Sequence, residues 1–575
     1  MFYSLLDIAV CPACSNSLTT LVPVEQPQRT AMRMKPALRA SPPGAAVGPL
    51  FSQPTETQLW RMLSPLAALP ATDGRDREVG VVQGVLVCVY CERWYPVRDG
   101  LPELLPDHVR RWDEDREWLV ARQADLAAVG LAAVWEVLLA HTQPSEQTVE
   151  DEGAHYKRSE MAITRRTLPE GFFGPALVTP FNPSRPGFSL DLLARYVTTV
   201  SRLGCGLNAT VFDLGVGYAW TTEWLVRLGY QAIGVDITRE YILAGLPRMG
   251  NYLPHLIVGD VENLPLRDEC VDAVLSFDAF HHLPNRRRAM AELARIMRAG
   301  AKMVLVEPGK EHEGHPQSVA VMQQHGILER GFDRADLAGY IRDSPLGNIF
   351  HHRTDAHPHD IFTVQKAGAF ETDSRTPHAL VAQIVVQPKS ASAAAGSRPE
   401  LTVSITNCGD TIWLNATPDG LGEVHLGANL FDPHHNLLQE NYARVVLPRA
   451  VRPGQRLGLQ CALPPINRPG NYVVELDMVD DGFLWFKDYS FQPVAWPLMI
   501  EGDAAEVVPD APLVSEVAPR ITPMMLVFEE KRVDVIPVSK AMRVPAAQLP
   551  RVVWEVLKSE GPVALGRKVV AYLRR

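Results

Sequence analysis

The chain has 575 residues, 46% of them hydrophobic, and a formal net charge of −10. That length exceeds what one hydrophobic core supports and predicts three or four domains. No stretch reaches the roughly 20 apolar residues of a membrane span, and the acidic balance argues against nucleic acid as a partner. The first residues lack the charged start and small-residue cleavage site of a secretory signal, so the expected compartment is the cytoplasm.

In chain order, the first informative elements are two C-x-x-C pairs, Cys11-Pro-Ala-Cys14 and Cys88-Val-Tyr-Cys91. Each pair offers two thiolates from one tight turn, and together they suit a tetrahedral zinc. Four cysteine ligands leave no open position, so such a zinc is structural. A redox pair and a ribbon without metal are the alternatives. Between the pairs, Pro27 to Asp73 is rich in Pro, Ala, Ser and Arg. Residues 21–80 therefore read as a disordered insertion within a zinc ribbon spanning 1–107. Cys205, Cys270, Cys408 and Cys461 are scattered and read as small buried hydrophobes.

From Asp107 to His141, Trp112, Trp118, Leu119, Leu126, Val129, Leu131, Val134 and Leu138 recur at helical spacing. The charged run Arg110 to Arg116 reads as a solvated face. Residues 142–190 are polar and rich in Pro and Gly, as in Gly171-Phe-Phe-Gly and Pro180-Phe-Asn-Pro. Block 108–190 is thus a helical segment and a lid, to which Tyr156 and Lys157 would belong.

Next, the apolar run Ala209-Thr-Val-Phe leads into Asp213-Leu-Gly-Val-Gly-Tyr-Ala. This reads as a buried strand and a glycine turn that lets backbone N–H groups approach a ligand. A dinucleotide fingerprint wants Gly or Ala at position 220, and the chain has Trp220. Further strands follow at Gln231–Asp236, at His255–Val258 ending in Gly259-Asp260-Val261, and at Val271–Phe277 running into Asp278-Ala-Phe-His281-His282-Leu-Pro. An amphipathic helix from Arg287 to Met297 then precedes a fifth strand, Met303-Val-Leu-Val-Glu307-Pro-Gly309. An open parallel sheet builds its site at these carboxyl ends.

This ordered set resembles the class I S-adenosylmethionine-dependent methyltransferases. The resemblance implies an α/β, Rossmann-like domain over 191–368 with a mostly parallel seven-stranded sheet. It implies S-adenosyl-L-methionine as cofactor, with Asp213, Gly215 and Gly217 cradling the methionine part. Asp236, followed by Ile237, would take the ribose, and Asp260 with Val261 the adenine; Asp278 completes the set. His281 and His282 stand beside the expected methyl position, and one of them is a candidate general base. Asp278, Glu307, His312 and His315 are other candidates, and in this family His-Leu-Pro also occurs without a catalytic duty.

Past Gly309, Asp333 to Asp343 suits a helix, while Asn348–Asp355 and Ile361–Gln365 suit a hairpin. Its histidines, His351, His352, His357 and His359, invite a metal reading, but a strand pair with an exposed turn is the blander account. Residues 369–400 are rich in Ala, Ser and Pro and read as a linker. Short β-type runs separated by turn signals follow over 401–498, as in an antiparallel β-sandwich. Asn407…Trp413, Leu426-Gly427, Pro469-Gly-Asn-Tyr472 and Leu484-Trp-Phe486 resemble Ig-like modules of bacterial polysaccharide-related transferases. Trp413, Trp485 and Phe486 would stack on sugar rings or fill the core. The tail, 499–575, ends in two short helices where Arg551, Lys558, Arg567, Lys568, Arg574 and Arg575 outnumber Glu555 and Glu560. Such a basic amphipathic end would lie on an anionic inner membrane face or dock on the protein itself.

Leu5-Leu-Asp-Ile-Ala-Val-Cys, Gly84-Val-Leu-Val-Cys and Trp94-Tyr-Pro-Val-Arg-Asp-Gly-Leu-Pro-Glu-Leu-Leu-Pro106 add a second resemblance, to zinc-ribbon proteins related to the methyltransferase activator subunit. In that family the ribbon binds and stabilises a methyltransferase; here it is fused to one. The expected activity is O-methylation of a glycan or lipid-linked sugar in surface-polysaccharide biosynthesis. The alternatives are an RNA or protein methyltransferase with a built-in activator, and a scaffold with a vestigial fold.

Overall fold

The computed structural model describes all residues except 26–79, 144–152, 168–177, 250–253, 353–358, 503–519, 527–575 and the short positions 2, 19, 89, 370, 418–419, 489–491 and 522–523. Most of the expected insertion, Gly171-Phe-Phe-Gly, His357 and both basic tail helices lie outside the described residues. The chain divides into two compact units, Met1–Phe370 and Glu371–Arg575.

The first unit is organised by one mixed sheet of eleven strands. Its strands are β1 (Thr20–Glu25), β2 (Gln83–Val87), β3 (Trp94–Arg98), β4 (Leu101–Leu104), β5 (Thr210–Leu214), β6 (Gln231–Asp236), β7 (His255–Gly259), β8 (Val271–Phe277), β9 (Met297–Pro308), β10 (Leu346–His352) and β11 (His359–Lys366). Their order is β1-β2-β3-β4-β7-β6-β5-β8-β9-β11-β10. The seven strands from β7 to β10 are the expected set: β7, β6, β5, β8 and β9 run parallel, and β11 pairs antiparallel with β9 and β10. All seven residues of β8 are buried, because helices cover both faces of a central parallel strand.

Two expectations are corrected here. Residues 21–25 are not part of a disordered insertion; with Thr20 they form β1, paired antiparallel with β2 from Thr20↔Val87 to Glu25↔Gln83. The ribbon continues the central sheet, because β4 pairs in parallel with β7 through Glu103↔Val258 and Leu104↔Gly259. One hydrophobic core accordingly runs from Leu5, Leu86, Tyr95 and Leu104 to Phe212, Val235 and Leu266. The run Arg110 to Arg116 is not simply solvated. Arg110 and Asp115 are buried, Arg110 donates to Asp115 at 2.7 Å, and Arg98 pairs with both Glu103 and Asp115. The planar guanidinium of Arg110 also stacks over the Trp112 ring at 4.2 Å. After the helix Trp112–Ala121, Leu126, Leu131, Val134 and Leu138 pack on Val85, Val87 and Trp94 of the ribbon, as their helical spacing predicts.

The second unit packs two sheets around one core that includes Trp413, Tyr442, Phe486 and Trp496. The expected linker is itself strand, which corrects its boundaries. Ala382–Gln387 alternates buried and exposed residues, pairs with Glu400–Asn407, and thereby starts the sandwich well before residue 401. The Ala/Ser/Pro content of the surrounding residues hid this period of two. The sandwich also extends past 498, through Val494–Glu501 and the short strands Arg520–Ile521 and Met524–Leu526. It is not purely antiparallel, because Ala391–Ala394 and Arg520–Ile521 join their neighbours in parallel. Trp413 and Phe486 are fully buried, so they serve the core and not a sugar; Trp485 is half-buried with Arg444 over its ring.

Candidate functional site

The carboxyl ends of β5, β6, β7 and β8 open onto a cavity of about 320 Å³. Gly215 follows β5 with φ +64° and Gly217 with φ +49°, a region where a side chain is strained. A Cβ on Gly215 would stand 2.5 Å from the Cβ of Ala279, so the turn and the residue after Asp278 can approach only because this position is glycine. Gly215, Gly217, Asp236, Ile237, Asp260, Val261 and Asp278 all line the cavity. Asp213 stands behind its wall, where the hydroxyls of Thr221 and Thr222 donate to its carboxylate at 2.7 and 2.6 Å. Burial pushes its carboxyl up to about 7, against those two hydrogen bonds. Its visible work is to hold the glycine turn and the first turn of the next helix together.

Asp236 accepts from Gly217 N and Thr238 N, both at 2.8 Å, and burial pushes it up to about 6. Facing it is a helix, Ala154–Thr167, which sequence reasoning placed within a lid. Ala154 and Met161 pack this helix against Val216, Ala219 and Ile242, and Tyr156, Lys157 and Glu160 line the cavity. Burial, reinforced by Asp236, pushes Glu160 up to about 8. Lys157 donates to Asp260 at 2.8 Å and to Glu262 at 2.6 Å. The residue expected at the adenine is therefore already neutralised from the covering helix.

The loop that carries Asp260 is also held from the ribbon. Val10 N donates to Pro265 O at 3.0 Å, and Asn263 Nδ2 donates to Pro12 O at 2.9 Å. Pro12 lies inside the first C-x-x-C turn. The four cysteine sulfurs converge, with Cys11–Cys91 and Cys14–Cys88 at 3.5 Å, and all four lie within 4.8 Å of one another. A zinc with bonds of about 2.3 Å sets tetrahedral edges of about 3.8 Å, so this thiol set fits the ion.

A second cluster lies at the end of β8 and β9. Glu307 is fully buried and accepts from Ser276 Oγ, from the backbone N–H of Ala279 and Phe280, and from His281. His281 Nδ1 is 2.9 Å from Glu307, and its Nε2 is 3.4 Å from Glu329. His282 lines the cavity and sets its Nδ1 2.6 Å from Leu328 O. His312 meets Glu329 at 2.8 Å, while among the described residues His315 caps the helix Pro316–His325 instead. His351 pairs with Asp360, His352 meets Thr363, and His359 reaches Asp278 at 3.1 Å, so among the described residues the hairpin histidines do not converge on one point. Glu329, Glu160 and the Lys157 bridge were missed as site residues. Their sequence signals, the polar run at 156–160 and the segment Gly326-Ile-Leu-Glu329, carry no spacing tie to the glycine turn.

Comparison with known proteins agrees with this division. Residues 212–305 match the family model of the methyltransferase domain, and residues 3–100 match that of the Trm112p-like protein. An uncharacterized methyltransferase of Mycobacterium tuberculosis is 36% identical over 149 residues, which cover 25% of this chain and 55% of that protein. An O-methyltransferase of Penicillium expansum is 24% identical over 151 residues, covering 25% of this chain and 54% of that one. The chain spans about half the length of the curated relatives it matches. Among solved structures, one of a complex between the Haloferax volcanii Trm112 methyltransferase activator and a methyltransferase aligns at 19% identity and TM-score 0.26, over 32% of this chain and 93% of that chain. No helix among the described residues is long and apolar enough to cross a membrane.

Proposed function

We propose that this protein is an S-adenosylmethionine-dependent methyltransferase that methylates a hydroxyl of a glycan or lipid-linked sugar, with its own Trm112p-like module built into the catalytic sheet. The observation that carries the reading is the cavity at the strand ends, lined by Gly215, Gly217, Asp236, Asp260 and Asp278. In this reading Gly215 and Gly217 admit the methionine part, Asp236 and Ile237 the ribose, and Asp260 and Val261 the adenine. Cys11, Cys14, Cys88 and Cys91 hold a structural zinc. When bound, the cofactor supplies an electrophilic methyl group, and the chain's task is to hold donor and acceptor in line. The lining carries five carboxylates and one lysine, which is already paired with Asp260 and Glu262. Such a lining suits a cationic sulfonium and an uncharged hydroxyl better than a polyanion.

The match of residues 3–100 favours a second reading, in which the acceptor is RNA or protein. Calorimetric titration with S-adenosylmethionine, followed by transfer of labelled methyl to cell fractions, separates the two. Asp236→Ala is expected to abolish cofactor binding with the fold intact. Retained affinity overturns the ribose assignment, absent binding by the unaltered protein overturns both readings, and label entering only RNA or protein overturns the glycan.

A further inference from the structure

His281 and His282 are neighbours with ring centres 3.9 Å apart, and their surroundings are opposite. His281 lies between Glu307 from β9 and Glu329 from the segment after the helix Pro316–His325, with Asp278 at 3.9 Å. One carboxylate faces each ring nitrogen, an arrangement in which only the doubly protonated ring donates on both sides. Arg286 donates to the His281 carbonyl, not to its ring. His282 has one carboxylate beside it, Glu329, at 4.0 Å from Nδ1. Its Nδ1 meets a carbonyl, which only accepts, so the proton sits on Nδ1 and Nε2 keeps its lone pair.

We propose that Glu329, together with Glu307, holds His281 as an imidazolium, and that this cation keeps His282 neutral as the group that takes the acceptor's proton. The proposal rests on the methyltransferase reading. Glu329, Glu307 and His281 are positioning residues, and His282 is the catalytic one. As the acceptor oxygen forms its bond to the methyl carbon, the carbon–sulfur bond breaks with its electron pair going to sulfur. The hydroxyl proton passes to Nε2 of His282.

The charge states agree with this geometry. Burial alone would lower His281, but its hydrogen bonds to Glu307 and Glu329 push it up to about 10. Burial and then the His281 cation push His282 down to about 4. Glu329 is held at about 2 against burial, chiefly by its hydrogen bond to His281, with the hydrogen bond to His312 adding to it. Among the described residues, the other titratable groups that face this pair are Asp278, held well below the usual range by His359, His312, whose ring centre is 5.3 Å from that of His281, and Glu160 on the covering helix. With a cationic sulfonium bound alongside, His282 stays neutral over the working range.

The test uses the full-length protein with ¹⁵N-labelled histidines, and His281→Gln and His282→Gln to assign the ring signals. The expected result is a doubly protonated His281 from pH 5 to about 9 and a His282 protonated on Nδ1 alone. In His281→Gln the titration of His282 is expected to rise, while burial still holds it below the value of about 6.5 for a free histidine. A neutral His281 at pH 7, or a His282 titration unmoved in His281→Gln, overturns the clamp. With S-adenosylmethionine labelled in the methyl group and a total lysate of the source cells as acceptor, His282→Gln should cut transfer about 100-fold. Its affinity for S-adenosylhomocysteine should match that of the unaltered protein. Undiminished transfer by His282→Gln overturns the catalytic assignment, as does a second bound metal equivalent that Glu329→Gln removes. Failure of the unaltered protein to bind the cofactor is a different result and overturns the underlying reading instead.

Discussion

The ribbon and the sandwich are both β-rich additions to a nucleotide-type domain, and different physics holds each. The ribbon adds β4 to the open edge at β7, merges its core with that of the domain, and holds the Asp260–Pro265 loop through Val10 and Pro12. The sandwich closes a core of its own around Trp413, Tyr442, Phe486 and Trp496. An element that shares a sheet and a core with a pocket lends that pocket its own stability. An element with a separate core carries its stability alone.

The severest challenge to this contrast is Cys11→Ser combined with Cys88→Ser. Structural zinc contributes on the order of 10 kcal/mol to a small ribbon, and in the proposed reading β1 to β4 depend on it. The expected outcome is loss of cofactor binding and of the melting transition of the first unit, with the sandwich transition kept. Unchanged cofactor affinity would show that the ribbon is not part of the pocket's support.

Lys157→Ala is next, because it leaves Asp260 and Glu262 buried without their cation, at about 3–5 kcal/mol. Denaturant unfolding should show this loss in the first unit only. Part of it should return as the pH falls and the carboxylates take up protons. Trp413→Ala makes the complementary change: a cavity costing about 3–5 kcal/mol in the sandwich transition, with titrated cofactor affinity unaltered. A shift in that affinity would break the contrast from the other side.

The smallest expected effect is electrostatic. Burial pushes Asp236 up to about 6 and Glu160 up to about 8. Both are neutral at low pH and ionise as the pH rises through that window. Affinity for the cationic S-adenosylmethionine should therefore rise from pH 6 to 8, by up to about tenfold for one unit of coupling. The neutral thioether S-adenosylhomocysteine should gain less, and equal gains would separate these carboxylates from the sulfonium.

Much of the fold was legible because its signals are local. Five strands, their polar ends, the glycine turn and the two C-x-x-C turns each sit within a few residues of sequence. The strand Ala382–Gln387 was missed, since its alternation of Ala382, Ile384 and Val386 on one face was obscured by the composition around it. The pairing of β4 with β7 was not legible. Leu101-Pro-Glu-Leu104 is a four-residue strand containing a proline, and nothing in it names a partner more than 150 residues away.

The site divides along the same line. From sequence came the cavity wall, because a turn needing φ > 0 and an acid at a strand end are properties of neighbours along the chain. Tertiary structure alone decided that Asp213 braces the turn from behind, that Lys157 already neutralises Asp260, and that Glu329 and Glu307 converge on His281. Two adjacent histidines look equivalent in a sequence. Their charge states differ because burial and distant carboxylates act through space, and only the folded chain brings those groups together.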